Sequence, residues 1–255
     1  MIFDYFYILI LSLIQGITEF IPVSSSSHLI IFSNLSNFNF KSLEIDVGLH
    51  LGSLLAILFY FRKDLINIIK NKNLAYLIIF GSLPLIIAGY FLYYTGLIDY
   101  VRNLEIIAWT TLVFGIILYV SDKFNIKKKI KDDLNIKNIL FIGFLQVLAL
   151  IPGVSRSGIT ITAGRFMNFD RVESSKISFY LSIPALAGAS FLGLKDIYQT
   201  EFYFNNLIIF SIIFSFVFSY LTIKFFLTYV KKYSLNLFVY YRLLISFILF
   251  IIIYS

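Results

Sequence analysis

The sequence predicts an all-α polytopic membrane protein with an inverted-topology repeat, about six transmembrane helices and two re-entrant helical hairpins. Three observations support this fold class. The 255 residues are 59% hydrophobic and 14% charged, with a mean hydropathy of +0.88, whereas soluble domains carry about 25% charged residues. Two polar segments interrupt apolar sequence at matching places in the two halves, and basic residues collect in alternate loops.

The first repeat, about residues 1–122, begins with a hairpin at 3–40. Its centre is the polar segment QGITEFIPVSSSSH, from Gln15 to His28, with apolar sequence on both sides. Two short helices that meet at Pro22 cannot each cross a hydrocarbon core of ~30 Å, so the chain is expected to turn back within the membrane. Three full spans are predicted after this hairpin, at 45–61, 74–94 and 104–121.

The second repeat, about residues 138–255, follows a basic linker and has the same plan. Its hairpin at 138–172 contains QVLALIPGVSRSGITIT, which begins at Gln146. Aligning Gln15 with Gln146 gives an offset of 131 positions, at which two further pairs of serines coincide. Spans are predicted at 177–194, 206–229 and 236–254. The whole chain, 1–255, is therefore expected to be a single membrane domain with one site shared between its repeats.

The loop charges predict the orientation. One hairpin and three spans make an odd number of crossings, so the second repeat is inverted relative to the first. Fifteen Lys or Arg residues fall in the loops expected on one side, against three in the opposite loops, at Lys41, Arg102 and Lys195. Because basic loops face the cytoplasm, both termini and the first hairpin are predicted on the outer side.

Composition also excludes several classes of function. The chain has no cysteine, which excludes disulfides, thiolate metal sites and a cysteine nucleophile. The net charge of +7 resides in short loops between apolar segments, so the expected partner is the lipid bilayer and not nucleic acid. The N-terminus shows no basic region followed by a small-residue cleavage site, so no removable signal peptide is expected.

The second polar segment has the features of an anion-binding site. Gly153 and Gly158 let backbone N–H groups approach a ligand closely, and a helix that restarts at about Ser155 or Ser157 favours negative charge at its N-terminus. Arg156 adds a planar donor suited to phosphate oxygens. Hydroxyl groups that are candidates for substrate binding occur in both segments, at Ser24, Ser26, Ser155, Ser157 and Thr160.

Charged and titratable residues supply the candidate chemistry. Glu19 and Arg156 are expected to balance each other within the membrane, where a charge costs about 2.5–3.5 kcal/mol; the alternative is a purely structural ion pair. His28 is a candidate nucleophile or general acid/base, and the alternative is an interhelical hydrogen bond. Glu19 is able to orient that histidine, activate water or bind a divalent cation, and Gln15 lies on the same helical face.

Asp46 and His50 are a further pair of titratable residues, four positions apart at the start of the first span. They are interpreted as an interfacial cap in preference to a second layer of the site.

With these residues identified, the chain resembles the undecaprenyl-diphosphatase family, the bacitracin-resistance phosphatases of bacterial membranes. The resemblance covers nearly the full length. Its motifs are Gln15-Gly16-Ile17-Thr18-Glu19, Pro22-Val23-Ser24-Ser25-Ser26-Ser27-His28, and Pro152-Gly153-Val154-Ser155-Arg156-Ser157-Gly158-Ile159-Thr160. The chain departs from the family at Gln15, where many members carry glutamate, and at Ser27, where many carry glycine.

The resemblance implies hydrolysis of undecaprenyl diphosphate to undecaprenyl phosphate and inorganic phosphate, which recycles the lipid carrier of peptidoglycan synthesis and confers bacitracin resistance. It implies a divalent cation, magnesium with calcium as an alternative, and a site that opens to the periplasmic side of the bacterial cytoplasmic membrane. By matching motif positions it implies functional roles for Glu19, Ser25, His28, Arg156 and Thr160, with Ser155 and Gln15 as further substrate contacts.

Alternatives stay open at this point. Type-2 phosphatidic acid phosphatases also use a Ser-Arg motif. Their nucleophilic histidine follows the arginine by six residues and would fall at position 162, which is Thr162 in this chain. A polyprenyl-phosphate transporter or flippase without hydrolysis is the main alternative, because inverted repeats with broken helices are typical of transporters. The attacking group is His28, Ser25 or water, and a homo-oligomer is left open.

Overall fold

The computed structural model describes residues 2–35, 43–124, 128–198 and 206–254 and is almost entirely helical over these ranges. Six helices are long and apolar enough to cross a membrane: α3 (Leu43–Tyr60), α5 (Lys72–Thr95), α6 (Leu104–Asp122), α10 (Arg171–Tyr198), α11 (Asn206–Lys232) and α12 (Asn236–Tyr254). They correspond to the six predicted spans, and the prediction of an all-α, multi-pass membrane protein is confirmed.

Two pairs of shorter helices lie where the hairpins were predicted. The first pair is α1 (Ile2–Thr18) and α2 (Ser25–Leu35); the second is α8 (Ile136–Gln146), continued by a 3-10 turn at Val147–Leu150, and α9 (Arg156–Phe166). Within each pair the two helices pack against each other. The non-helical residues between them, 19–24 and 151–155, are called the first and second chain breaks. The end of the predicted first hairpin, residues 36–40, and the predicted outer-loop Lys41 lie outside the described residues.

Helices of the first predicted repeat pack against helices of the second. α1 packs on α11 of the second repeat, and its counterpart α8 packs on α5 of the first repeat. The equivalent helices α6 and α12 pack on each other, as do α3 and α10. Each hairpin is thus braced by a span from the opposite repeat, which brings the two chain breaks to the middle of the bundle.

Small residues permit these close helix crossings. A Cβ atom at Gly143 of α8 would collide with the carbonyl oxygen of Gly81 on α5, and one at Gly52 of α3 would collide with that of Ile212 on α11. Ser53 completes the α3–α11 contact by hydrogen bonding to Ser219 at 3.0 Å. Glycine and serine at such crossings are typical of helices that associate in lipid, where backbones must approach closely.

The structure corrects one loop prediction. Residues 62–73 were expected to form a loop, but Arg62–Lys70 is a helix, α4, that begins directly after α3. Leu65, Ile68 and Ile69 recur at helical spacing within this basic segment, and Ile68 is buried, so one apolar face packs against the bundle. The predicted linker contains a further short helix, α7 (Ile130–Asp133), while its residues 125–127 lie outside the described residues.

A cluster of charged residues connects several helix ends on the predicted inner side. The Asp122 carboxylate accepts hydrogen bonds from Arg171 Nε at 2.6 Å and from the backbone N–H of Leu235 at 2.9 Å. Arg165, at the end of α9, donates to the carbonyl oxygens of Asp122 at 3.0 Å and Phe124 at 2.7 Å. These contacts join the ends of α6 and α9 to the start of α10 and to the residue just before α12.

Candidate active site

The two chain breaks have the same local geometry. Ser24 and Ser155, which correspond at the 131-residue offset, both adopt the left-handed conformation, with φ of 76° and 71°. Each is followed at once by a helix, α2 or α9. The Ser155 hydroxyl caps α9 by accepting a hydrogen bond from the Gly158 N–H at 3.1 Å. The expectation that a helix restarts at about Ser155 is confirmed.

The breaks contact each other directly. The Gly153 N–H donates to the Ser24 hydroxyl at 3.3 Å, and the Ser157 hydroxyl donates to the carbonyl oxygen of Ile21 at 2.8 Å. Gly153 has φ of 93°, and a Cβ atom there would collide with Thr110 of α6. The glycine is therefore required both by its backbone conformation and by the close approach of α6.

An ion pair across the two repeats forms the centre of the site. Arg156 Nη2 donates to Glu19 Oε1 at 2.9 Å, and the side chains are only 12% and 7% exposed. The other carboxylate oxygen, Oε2, accepts from the Ser25 hydroxyl at 2.6 Å and from Gln15 Nε2 at 3.1 Å. Arg156 Nη1 also donates to the Ser178 carbonyl at 3.2 Å. Glu19 is thus placed to polarise one hydroxyl, that of Ser25.

A cavity of about 210 Å³ opens beside this ion pair. The polar lining residues include six of the predicted site residues together with Thr18 and a histidine of α3. The apolar lining residues come from α5, α10 and the 3-10 turn after α8. The polar residues are Thr18, Glu19, Ser24, Ser25, Ser26, His50, Ser155 and Arg156, and the apolar residues are Leu85, Ala149, Leu150, Ala185, Leu186 and Ala189. Such a cavity suits a ligand with an anionic head and a hydrocarbon chain.

His28 does not line this cavity. Its Nδ1 lies 2.6 Å from the Ser24 carbonyl oxygen, which accepts a hydrogen bond from the ring N–H, and its Nε2 lies 2.7 Å from the Tyr241 hydroxyl. The His28 and Tyr241 rings stack with centroids 5.6 Å apart. The structure therefore gives His28 the interhelical hydrogen bond that was the alternative interpretation, with α12 as the partner helix.

Three other predicted site residues lie behind the cavity wall. Gln15 is fully buried and reaches the site through Glu19. Ser157 is engaged by the Ile21 carbonyl, as described above. The Thr160 hydroxyl donates to the Arg156 carbonyl at 2.8 Å and lies 2.7 Å from the Ser178 hydroxyl, from which it can accept. Gln15, Ser157 and Thr160 thus do not face the cavity. They support the residues that line it.

His50 lies in the site, and its interpretation as an interfacial cap is wrong. It lines the cavity, and its Nδ1 lies 3.1 Å from Gln15 Nε2. An amide nitrogen only donates, so Nδ1 accepts and the proton of the neutral ring is on Nε2. The sequence held a signal for this placement, because His50 is the sixth residue of the span predicted at 45–61, which is too deep for a cap.

Arg242 of α12 was not identified from the sequence. Its guanidinium is buried and donates to carbonyl oxygens at both chain breaks, those of Pro22 and Gly153 among them. The signal for it is a single arginine inside the apolar run of α12, since a charge at such a position usually has a functional partner.

The comparisons with known proteins agree with this architecture. A family model described as bacitracin resistance protein BacA matches residues 8–248. The chain belongs to the BacA family. Its relatives in this family include an undecaprenyl-diphosphatase of Pelagibacter ubique (strain HTCC1062), 58% identical over 249 residues and covering 97% of each chain. Another, from Elusimicrobium minutum (strain Pei191), is 40% identical and covers 95% of each chain.

The fit of a divalent cation to this BacA-family site depends on two oxygen-bearing side chains. Glu19 is the cavity's carboxylate. Gln15 Oε1 is buried without a hydrogen-bond partner among the described residues, and hard cations bind such oxygens. No group of three His, Asp or Glu residues able to hold a metal occurs in the described ranges. The residues therefore fit a cation that takes most of its ligands from an anionic substrate.

Proposed function

We propose that this chain hydrolyses undecaprenyl diphosphate to undecaprenyl phosphate and inorganic phosphate. The observation that carries the proposal is the Ser25 hydroxyl, which lies 2.6 Å from a Glu19 carboxylate that is paired with Arg156. The cavity beside them is lined by both polar and apolar residues. The names of the relatives agree with it, because undecaprenyl-diphosphatases at 58% and 40% identity match almost the whole chain. The product is the lipid carrier that peptidoglycan synthesis reuses.

Binding follows from the polarity of the cavity. The diphosphate lies against Arg156 and the serines of the two breaks, where the N-terminal amides of α9 favour negative charge. The hydrocarbon chain lies along the apolar lining residues, which include Leu85 and Leu186. Glu19 would hold a divalent cation, magnesium or calcium, together with the substrate oxygens, and the cation would neutralise part of the diphosphate charge.

Ser25 is the attacking group in this proposal. Its Oγ attacks the terminal phosphorus as its proton passes to Glu19, and the bond from that phosphorus to the bridging oxygen breaks. Undecaprenyl phosphate leaves with the electron pair on its former bridging oxygen, which takes the proton from Glu19, so that Glu19 is again a carboxylate. Water, deprotonated by Glu19, then attacks the phosphoserine, so that inorganic phosphate leaves and Ser25 regains a proton. Arg156 stabilises the negative charge that develops in both steps.

The same residues argue against His28 as the attacking group. Both of its ring nitrogens are engaged, by the Ser24 carbonyl and by Tyr241, and the ring does not line the cavity. His28 instead holds Ser24, which precedes Ser25 at the break.

The protein is proposed to act in the bacterial cytoplasmic membrane with its site open to the outer, periplasmic side. The support is the loop charge, with fifteen basic residues on the predicted inner side against three outside. Hydrolysis on that side would return the carrier after its cargo has been used, and it would compete with bacitracin for the lipid diphosphate.

Release of phosphate tests the proposal. Purified protein in detergent is given undecaprenyl diphosphate with and without magnesium, and inorganic phosphate and undecaprenyl phosphate are both measured. Equal amounts of the two products are expected. A protein that binds the lipid but releases neither product would contradict hydrolysis and would leave a transporter as the better account.

A further inference from the structure

Arg242 lies in the middle of α12 and is 1% exposed. Its guanidinium makes four hydrogen bonds, all to backbone carbonyl oxygens: Nη1 to Pro22 and Val154 at 3.2 Å each, Nη2 to Gly153 at 2.8 Å, and Nε to Thr111 at 3.3 Å. No carboxylate in the described part of the chain lies within ion-pair distance of it. One side chain thus bonds to the break of the first repeat, the break of the second, and α6.

The surrounding helices leave space for this side chain. A Cβ atom at Gly115 of α6 would lie 3.3 Å from Arg242 Cβ, and one at Gly158 of α9 would lie 3.2 Å from Nη1. Both approaches are tighter than ordinary van der Waals contact. Because these two positions carry no side chain, the Arg242 side chain has room to reach the breaks.

The bonds to Arg242 fix the direction of the peptide groups at the second break. In a planar trans peptide, the C=O of one residue and the N–H of the next point in opposite directions. Because Arg242 holds the Val154 carbonyl, the N–H of Ser155 points away from Arg242. Ser155 itself lines the cavity. The buried positive charge of Arg242 also favours an anion bound at the breaks, because little solvent screens that charge.

We infer that Arg242 is a positioning residue that holds the two chain breaks in the arrangement that binds the diphosphate. The inference rests on the proposed function. Arg242 does not line the cavity, so it acts through the backbone of Gly153 and Val154 and through that of Pro22, and not by contact with the substrate.

A second buried arginine provides a matched control. Arg165 is 4% exposed and also donates to backbone carbonyl oxygens, those of Phe169, Asp122 and Phe124. It lies at the end of α9 remote from the breaks. Substitution of either arginine leaves buried carbonyls without partners and lowers stability, but only Arg242 touches the breaks.

The test compares Arg242→Lys and Arg242→Met with Arg165→Lys and Arg165→Met. For each purified variant, kcat and KM for release of phosphate from undecaprenyl diphosphate are measured well below its thermal unfolding temperature. Hydrogen exchange of the backbone amides at 23–25 and 153–156 is followed in the same samples. Lysine keeps the charge and part of the hydrogen bonding, so Arg242→Lys remains informative where Arg242→Met does not fold.

We expect kcat/KM to fall at least tenfold in Arg242→Lys and further in Arg242→Met, with faster exchange at both breaks. The Arg165 variants are expected to unfold at lower temperature while kcat/KM stays within about twofold of the wild type. Wild-type kinetics in Arg242→Lys, or an equal loss in the Arg165 variants, would overturn the inference. A wild type that releases no phosphate would instead contradict the proposed function, and faster exchange at the breaks of Arg242→Lys alone would still support the positioning role.

Discussion

Ser24 and Ser155, 131 positions apart, are both held in the left-handed backbone conformation, with φ of 76° and 71°. Each ends the irregular segment at the tip of a hairpin and directly precedes a helix. A positive φ strains a residue that has a Cβ atom, at a cost of about 1–3 kcal/mol. The repetition of the strain at equivalent positions indicates that both breaks are built features of the fold, and the cavity lies where they meet.

The conformation of Ser155 predicts an unusual order of stabilities. Ser155→Ala loses the cap of α9, at a cost of about 0.5–2 kcal/mol, and keeps the left-handed strain. Ser155→Gly loses the same hydroxyl but relieves the strain, so it should unfold at a higher temperature than Ser155→Ala. Ser157, inside α9, is the control, because glycine in a helix is worse than alanine by about 1 kcal/mol. The same order at both positions would contradict the account of the break.

The roles of Ser25 and His28 are separable. Ser25→Ala removes the proposed nucleophile and should lower phosphate release by roughly 10⁴-fold or more. His28→Asn disturbs only the support of Ser24, so its activity should remain well above that of Ser25→Ala. Rapid quenching of the wild type should trap an acid-stable phosphoenzyme, as expected for phosphoserine. An acid-labile phosphoenzyme that is absent from His28→Asn would assign the attack to the histidine.

His50 should affect catalysis by orienting the Gln15 side chain. His50→Phe removes the acceptor for Gln15 Nε2, which then loses its fixed orientation toward Glu19. We expect kcat to fall by roughly 10–100-fold, as for a small misplacement in an active site, and His50→Gln to recover part of the loss. Ser53→Ala is the control on the same helix, because Ser53 hydrogen bonds only to serines of α11 in the described contacts. Full activity in His50→Phe would exclude a role in the site.

Removal of divalent cations should affect catalysis more than folding. The described site offers one carboxylate and one unpartnered amide oxygen, so a cation is expected to bind appreciably only with the diphosphate. Chelation should therefore abolish phosphate release while the unfolding temperature of the substrate-free protein stays within about 2 °C. A large fall in that temperature on chelation would point to a resident structural metal.

Much of this architecture was predictable from sequence. Apolar length gave the six spans, and the paired prolines and serines gave the two hairpins, because a buried break needs polar or small residues to satisfy its backbone. The pairing of Glu19 with Arg156 was predictable from charge, since two opposite charges in a membrane are far cheaper together than apart. The 131-residue offset identified the positions of the two breaks that correspond to each other, such as Ser24 and Ser155.

The remaining features depend on packing between distant elements. His28 and His50 are both single histidines in apolar helices, and which of them faces the cavity depends on how α2 and α3 rotate against their neighbours. Arg242 has no motif, and its partners are backbone carbonyls, which no residue type reveals. The helix at Arg62–Lys70 was missed because its basic residues were interpreted as a loop, although its apolar residues have helical spacing.

The central claim is that Glu19 of one repeat and Arg156 of the other form a single hydrolytic site. It is tested most directly by the phosphate released from undecaprenyl diphosphate by the purified wild type, Glu19→Gln, Arg156→Gln and the double variant, all shown to be folded. We predict release by the wild type, a loss of about 10²–10⁴-fold in each single variant, and a double variant scarcely worse than either. No release from the wild type, or single variants that keep near-normal rates, would contradict the account.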